Sequence, residues 1–245
     1  MDYGIIVDLE TTGADFDRDK IIEIGIVEFA VEEGHEPSIV NMYGALQDPG
    51  EPLSEEIKKL TGIDDVYLQG KQIDWKLVSD YFSRASIAIA HNAVFDRTFL
   101  MQRSELDLSS VHWGCSLRFI DWKAHGFKTR ALNYLAADHG FVNPFAHRAL
   151  FDCATTFRIV APRLKELIEC SFMREYRVFA TGAAFDTKDL LKANGYRWDP
   201  EKRVWTKDVF ENRLHEEREF LRLNVYRGAD LHQEEEISLN MNRLS

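Results

Sequence analysis

Apolar positions recur first in short β-branched runs and then at helical spacing, and this change of period organises the chain. Gly4-Ile5-Ile6-Val7-Asp8-Leu9-Glu10, closed by Thr11-Thr12-Gly13, has the composition of a strand ending in a turn. From Ile21 to Ala30 the residues Ile22, Ile24 and Ile26 alternate with Glu23, Gly25 and Val27, and Ile39 to Leu46 is a third extended segment. Three strands with short connections predict an antiparallel meander. Ser54, followed by Glu55 and Glu56, is expected to cap a helix that stops at Gly62, while Trp75, Val78, Tyr81 and Phe82 mark an amphipathic helix. Ser86 to Ala90 reads as a short buried strand before a helix over about Asp96–Arg103. Ala131–His139 is a helix ending at Gly140, Asn143-Pro144 marks a loop, and a long helix is expected from about Ala149 to Glu169. Strands followed by alternating strand and helix predict an α/β fold over residues 1–172, a mixed sheet flanked by helices.

A second unit, a small α+β domain, is expected over residues 176–227. It comprises a strand at Arg177–Thr181, a helix at Lys188–Ala193, a hairpin over Tyr196–Trp205 and a last helix over about Val209–Leu223. Residues 228–245, with Glu234-Glu235-Glu236, read as a frayed or partner-held tail. Ile237-Ser238-Leu239 is too short to identify a polymerase-clamp peptide.

Composition narrows the picture. The 245 residues are 45% hydrophobic with 6 Pro and 14 Gly, which fits a folded chain and excludes a collagenous or largely disordered one. There is no apolar run long enough to span a membrane, and Met1-Asp2-Tyr3-Gly4 lacks the basic flank of a secretory signal, so a cytoplasmic, nucleoid-associated location is expected. Cys115, Cys153 and Cys170 are scattered, which suggests reduced thiols and neither a disulfide framework nor a zinc site. The net charge of -11 argues against a large basic nucleic-acid surface but not against an enzyme acting on chain ends. That acidity belongs to residues 1–172, which hold 17 basic and 27 acidic residues against 13 and 14 in the remainder.

Three clusters carry candidate chemistry. Asp8 and Glu10, two apart on a strand, project from one face, where they repel unless a cation lies between them; an exposed strand end would also account for the pair. His91-Asn92-Ala93-Val94-Phe95-Asp96 follows the strand at 86–90, and ligands collect at the carboxyl ends of strands in open α/β sheets. Asp96 can join Asp8 and Glu10 there, or favour the helix start. His147-Arg148-Ala149-Leu150-Phe151-Asp152 turns through about 500° if fully helical, so His147 is expected in the preceding loop with Asp152 fixed on the helix. An imidazole suits a general base near neutral pH, and His91 is a weaker rival for that role. Asp15, Asp17 and Asp19 imitate a calcium loop, but Lys20 and Ile26 stand where glycine and glutamate are required. No phosphate loop of the G-x-x-x-x-G-K-[ST] type is present in the sequence.

Together, V-D-L-E-T-T-G at 7–13, H-N-A-V-F-D at 91–96 and H-R-A-L-F-D at 147–152 resemble the three motifs of the DnaQ-like DEDD exonucleases, histidine subtype, over about residues 3–170. The resemblance implies a ribonuclease-H-like fold and 3′-to-5′ hydrolysis of nucleic acid to nucleoside 5′-monophosphates. By position it implies that Asp8, Glu10, Asp96 and Asp152 hold two Mg2+ ions, replaceable by Mn2+, and that His147 is the general base. Two such ions about 3.5–4 Å apart can activate water and stabilise the leaving 3′ oxygen. Thr11, Thr12, Gly13, Asn92 and Phe95 match substrate-side positions, although Phe95 is equally suited to the core. The expected partner is nucleic acid with a free 3′ end, single-stranded DNA above all, with a polymerase or repair complex behind it. An exoribonuclease shares the same chemistry, and a non-catalytic binding module is the alternative of another class. In the second unit, Arg197, Trp198, Lys202, Arg203 and Trp205 form an aromatic and basic hairpin that can stack bases and touch phosphates, or supply the core of a small domain.

Overall fold

The β-branched opening run becomes β1 (Asp2–Thr11), which pairs antiparallel with β2 (Ile21–Val31), itself antiparallel to β3 (Ser38–Leu46). The computed structural model describes residues 2–237, and Ser238 and Leu239 lie outside them. Helices α1 (Glu55–Thr61), α2 (Asp65–Leu68) and α3 (Trp75–Arg84) follow the meander. Ser54 caps α1 by accepting from the Ile57 N–H, and Gly62 ends it in the left-handed region at φ 69°, which glycine adopts without a Cβ clash. Next come β4 (Ile87–Ala90), α4 (Ala93–Met101), β5 (Trp113–Cys115), α5 (Ser116–Phe119), α6 (Leu132–Asp138), α7 (Ala149–Val160) and α8 (Leu164–Phe172).

The five strands form one mixed sheet in the order β3-β2-β1-β4-β5, with β4 and β5 parallel to their neighbours. The expected alternation in β2 is overridden, for Glu23 and Gly25 are as buried as Ile22, Ile24 and Ile26. A strand covered on both faces sits mid-layer, and α7 supplies the second cover.

Several expectations change. The helix expected from Asp96 begins at Ala93, which places Asp96 in its first turn. The stretch expected as one helix over 149–169 breaks at Ala161–Arg163, a 3-10 turn containing Pro162. Proline has no N–H to donate and crowds the preceding turn. β5 is only three residues long, too short for a periodicity to register.

The chain divides into two compact units, residues 1–171 and 172–245. In the second, β6 (Glu175–Ala180), α9 (Lys188–Ala193), β7 (Arg197–Asp199), β8 (Val204–Phe210), α10 (Glu211–Phe220) and β9 (Gln233–Ile237) build an antiparallel sheet in the order β7-β8-β6-β9. Its core gathers Val178, Leu191, Tyr196, Val209, Leu214, Leu221 and Tyr226. The expected last helix loses Val209 and Phe210 to β8. The reading of residues from 228 onward as a frayed tail is corrected at β9, which pairs with β6. Its glutamates have cationic partners, Glu234 with Arg218 at 2.6 Å and Glu236 with Arg174 at 3.8 Å. Among the described residues no helix is long and apolar enough to cross a membrane. Cys115 and Cys153 are buried thiols and Cys170 is half-buried, and none of the three is in a disulfide.

Candidate active site

Asp8 and Glu10 occupy the carboxyl end of β1, where Asp8 stands opposite Gly25 and Glu10 opposite Glu23 on β2. Gly25 makes the close approach of α7 possible. A Cβ there would lie 2.4 Å from the backbone of Ala149 and Leu150, so the first turn of α7 rests directly on the strand. That turn carries Asp152, 7% exposed, over the same face. Asp96 is 3% exposed in the first turn of α4, and its Oδ1 accepts the Leu9 N–H at 3.0 Å.

His147 lies outside the helix, on a turn at φ 61°, a left-handed conformation that non-glycine residues seldom adopt. Its backbone N–H donates to Asp152 Oδ2 at 2.9 Å while its ring is exposed. The Asn143 side-chain amide donates to the other oxygen of Asp152. Ligand-capable atoms of Glu10, His147 and Asp152 all fall within 4.8 Å of one another. Asp8 and Asp96 lie outside that tight group, and Asp8 feels the charges of Asp96, Asp152 and Glu10.

Burial and mutual repulsion push these carboxyl groups toward the neutral form. Asp8 is raised well above the ordinary carboxylate range by burial, then by Asp96, Asp152, Glu10 and Glu23. Burial pushes Glu10 up to about 8 and Asp96 up to about 8. Asp152 is raised by burial and held back by the His147 N–H. A hard divalent cation would reverse this penalty, and the donor set of carboxylate oxygens with one imidazole fits such an ion better than a thiolate-seeking one.

The remaining predicted residues divide. Thr11 is buried and its hydroxyl donates to Gly13 O; the Thr12 hydroxyl donates to Asp19 Oδ1 at 2.9 Å. A Cβ on Gly13 would sit 2.3 Å from Asp19 Oδ2, so the turn closes around that carboxylate. Asp19 of the false calcium loop is therefore a loop anchor. Asn92 is exposed and leads into α4 without a side-chain cap bond. Phe95 is half-buried, its ring 4.9 Å from Phe99 and 6.1 Å from Phe16.

His91 has both ring nitrogens engaged elsewhere, Nε2 with Arg130 O at 2.7 Å and Nδ1 with Ser116 Oγ at 2.8 Å. A carbonyl can only accept, so Nε2 carries the proton and Nδ1 accepts from Ser116. Burial depresses its pKa. It is a structural histidine, and the rival role fails.

Sequence reasoning missed Glu23, Arg148, Asn143 and Phe16. Glu23, 5% exposed, accepts from Arg148 Nη2 at 2.9 Å and from the Ala149 N–H at 3.0 Å, pinning the start of α7 next to His147. A charged position near the start of an apolar strand was the available signal. In the second unit Tyr196 is core, its hydroxyl donating to Glu217 at 2.9 Å. Lys202 lies over the Phe179 ring at 4.8 Å, and Arg197 is exposed on β7.

Comparisons with known proteins bear on the family and the fold. The chain is 29% identical over 170 residues to the PolC-type DNA polymerase III of Streptococcus suis, covering 67% of this chain and only 11% of that protein. It is 29% identical over 168 residues to the DNA polymerase III epsilon subunit of Aquifex aeolicus, covering 66% of this chain and 81% of that one. Among solved structures, exonuclease X in complex with 5′-overhanging duplex DNA superposes with a TM-score of 0.51 at 21% identity, over 68% of this chain and 98% of the other. A 3′-exonuclease recognising the 3′ end of a histone mRNA stem-loop gives 0.54 at 16% identity, over 67% of this chain and 82% of the other. These likenesses agree with a ribonuclease-H-like fold for the mixed sheet. The exonuclease (RNase_T) family model matches residues 5–160, the span that carries every member of the acidic cluster, and the chain belongs to that family.

Proposed function

We propose that the chain is a 3′-to-5′ exonuclease of the histidine subtype that hydrolyses single-stranded DNA to nucleoside 5′-monophosphates, in replication proofreading or repair in the cytoplasm. The observation that carries this reading is the convergence of Asp8, Glu10, Asp96 and Asp152, from one strand and two helices, beside an exposed His147. A binding module has no chemical use for four crowded acids, three of them buried. The polymerase III relatives support the DNA and replication assignment.

Held by the four acids, two Mg2+ ions would supply charge neutralisation for the scissile phosphate and the leaving 3′ oxygen. The exposed His147 imidazole accepts the proton of the attacking water, from a ring nitrogen that lies within 4.8 Å of ligand atoms of Glu10 and Asp152. Thr11, Thr12 and Gly13 present a turn fixed by Asp19 to the terminal nucleotide. Asn92 offers an open amide, and Phe95, backed by Phe99 and Phe16, offers a ring edge.

The test is incubation of 5′-labelled single-stranded DNA and matched RNA with Mg2+ or Mn2+, beside Asp8→Ala and His147→Ala. Stepwise shortening of DNA is expected, abolished by Asp8→Ala and slowed about 10²–10⁴-fold by His147→Ala with metal binding retained. Preferential shortening of RNA would instead make the protein an exoribonuclease. Binding without metal-dependent cleavage would make it a module.

A further inference from the structure

The second unit contains a cleft of about 350 Å³ at the β7–β8 hairpin, formed by Phe185, Lys188, Trp198, Arg203 and Trp205 with Gly182. We propose that this cleft holds an unpaired nucleobase and its phosphate, a single-strand-binding site built entirely within residues 172–245. It rests on the nucleic-acid reading above only for the class of its ligand.

The hairpin aromatics have separate tasks. Tyr196 is 3% exposed and bonded to Glu217, so it belongs to the core. Trp205 is half-buried against that core, and Trp198, its register partner on β7, stays 50% exposed with the ring centroids 5.6 Å apart. Phe185 is 82% exposed. Two large open rings facing a concave surface of this size suit a flat aromatic ligand that stacks.

The charges select a nucleotide. Lys188 Nζ lies 4.3 Å from the centroid of the Phe185 ring. Arg203 enters the cleft from a hairpin turn held at φ 51°, a strained conformation for a residue with a side chain. Among the described residues lining the cleft there is no carboxylate, so two cations face it without an acidic partner there. The neighbouring cleft is different: Lys202 and Arg203 share it with Glu234 and Glu235. The hairpin group expected from sequence thus changes, with Phe185 and Lys188 joining and Arg197 and Lys202 leaving.

The experiment measures anisotropy of labelled oligothymidylate and of a blunt duplex with the full chain in EDTA, which removes the divalent ions that the first unit would need to engage phosphate. Trp198→Ala is expected to weaken oligothymidylate binding about tenfold, a typical loss for one stacked base. Arg203→Gly keeps the left-handed turn while removing the charge, so it serves even where Trp198→Ala fails to fold. It is expected to weaken binding several-fold and to flatten the salt dependence by about 0.7, one phosphate contact on a single strand. Wild-type affinity in folded Arg203→Gly, or equal affinity for the blunt duplex, overturns the proposal. Cleavage with Mg2+ alongside unaltered binding by both variants removes the cleft and leaves the exonuclease reading. Weakened binding in both variants without cleavage supports the cleft and removes the exonuclease.

Discussion

Asp152 illustrates how a single carboxylate is oriented before any ligand arrives. Both oxygens accept from the segment just ahead of α7, one from the Asn143 amide and one from the His147 backbone N–H, so the acid is tied to the backbone that carries the imidazole. Glu23 fixes the other side through Arg148 and Ala149. Replacing Glu23 with Gln is expected to cost about 1–3 kcal/mol in unfolding free energy, below the full penalty for a buried pair because Arg148 is partly open to water. Turnover should fall with it, and denaturant titration beside kcat tests the coupling. Asp8→Asn should lower turnover by about three orders of magnitude. In EDTA the same change should raise the melting temperature by a few degrees, since it removes a carboxyl group that the fold pushes toward its neutral form by desolvation and by neighbouring acids. His91 gives a pH signature. Its folded pKa lies below the unfolded value of about 6.5, so its contribution to stability is complete above that pH and is lost as pH falls through the folded pKa. Wild type should lose stability relative to His91→Gln on acidification below about pH 6.5, as measured by melting across pH; a flat difference would contradict the buried neutral assignment.

At the scale of elements, the contact between β2 and α7 governs the site. Gly25 is an apolar-strand glycine whose purpose is steric, and Gly25→Ala would force a methyl into the Ala149–Leu150 backbone. A loss of about 2–3 kcal/mol is expected, a drop on the order of 6–10 °C, with Asp152 displaced and kcat reduced. Calorimetry and kinetics on that variant test this; wild-type values for both would show that α7 can shift freely. The motif containing Asp96 behaves similarly, since the earlier start of α4 brings the carboxylate to the helix N-terminal turn against the Leu9 N–H. The hydrophobic pattern revealed both elements but not their contact. Periodicity reports which face is apolar, not what lies on it.

Across the whole molecule, each unit carries its own core, β-sheet and helices. Deleting residues 176–245 is expected to leave cleavage of a saturating short oligonucleotide within about twofold while raising KM; an unchanged KM would deny the second unit any part in holding substrate. The sequence alone determined the meander, the strand–helix alternation and three motifs whose acids the fold brings to one end of the sheet, because side-chain period and local spacing are written within a few residues of each other. It also marked an aromatic hairpin, which β7 and β8 form. Only the tertiary structure decided that Gly25 seats α7, that Glu23 holds Arg148 across 125 positions of chain, that Asp19 closes the turn at Gly13, and that Glu234-Glu235-Glu236 is a strand. All of these except the local Asp19 contact depend on a partner distant in sequence, and a charge's role follows from the partner the fold supplies.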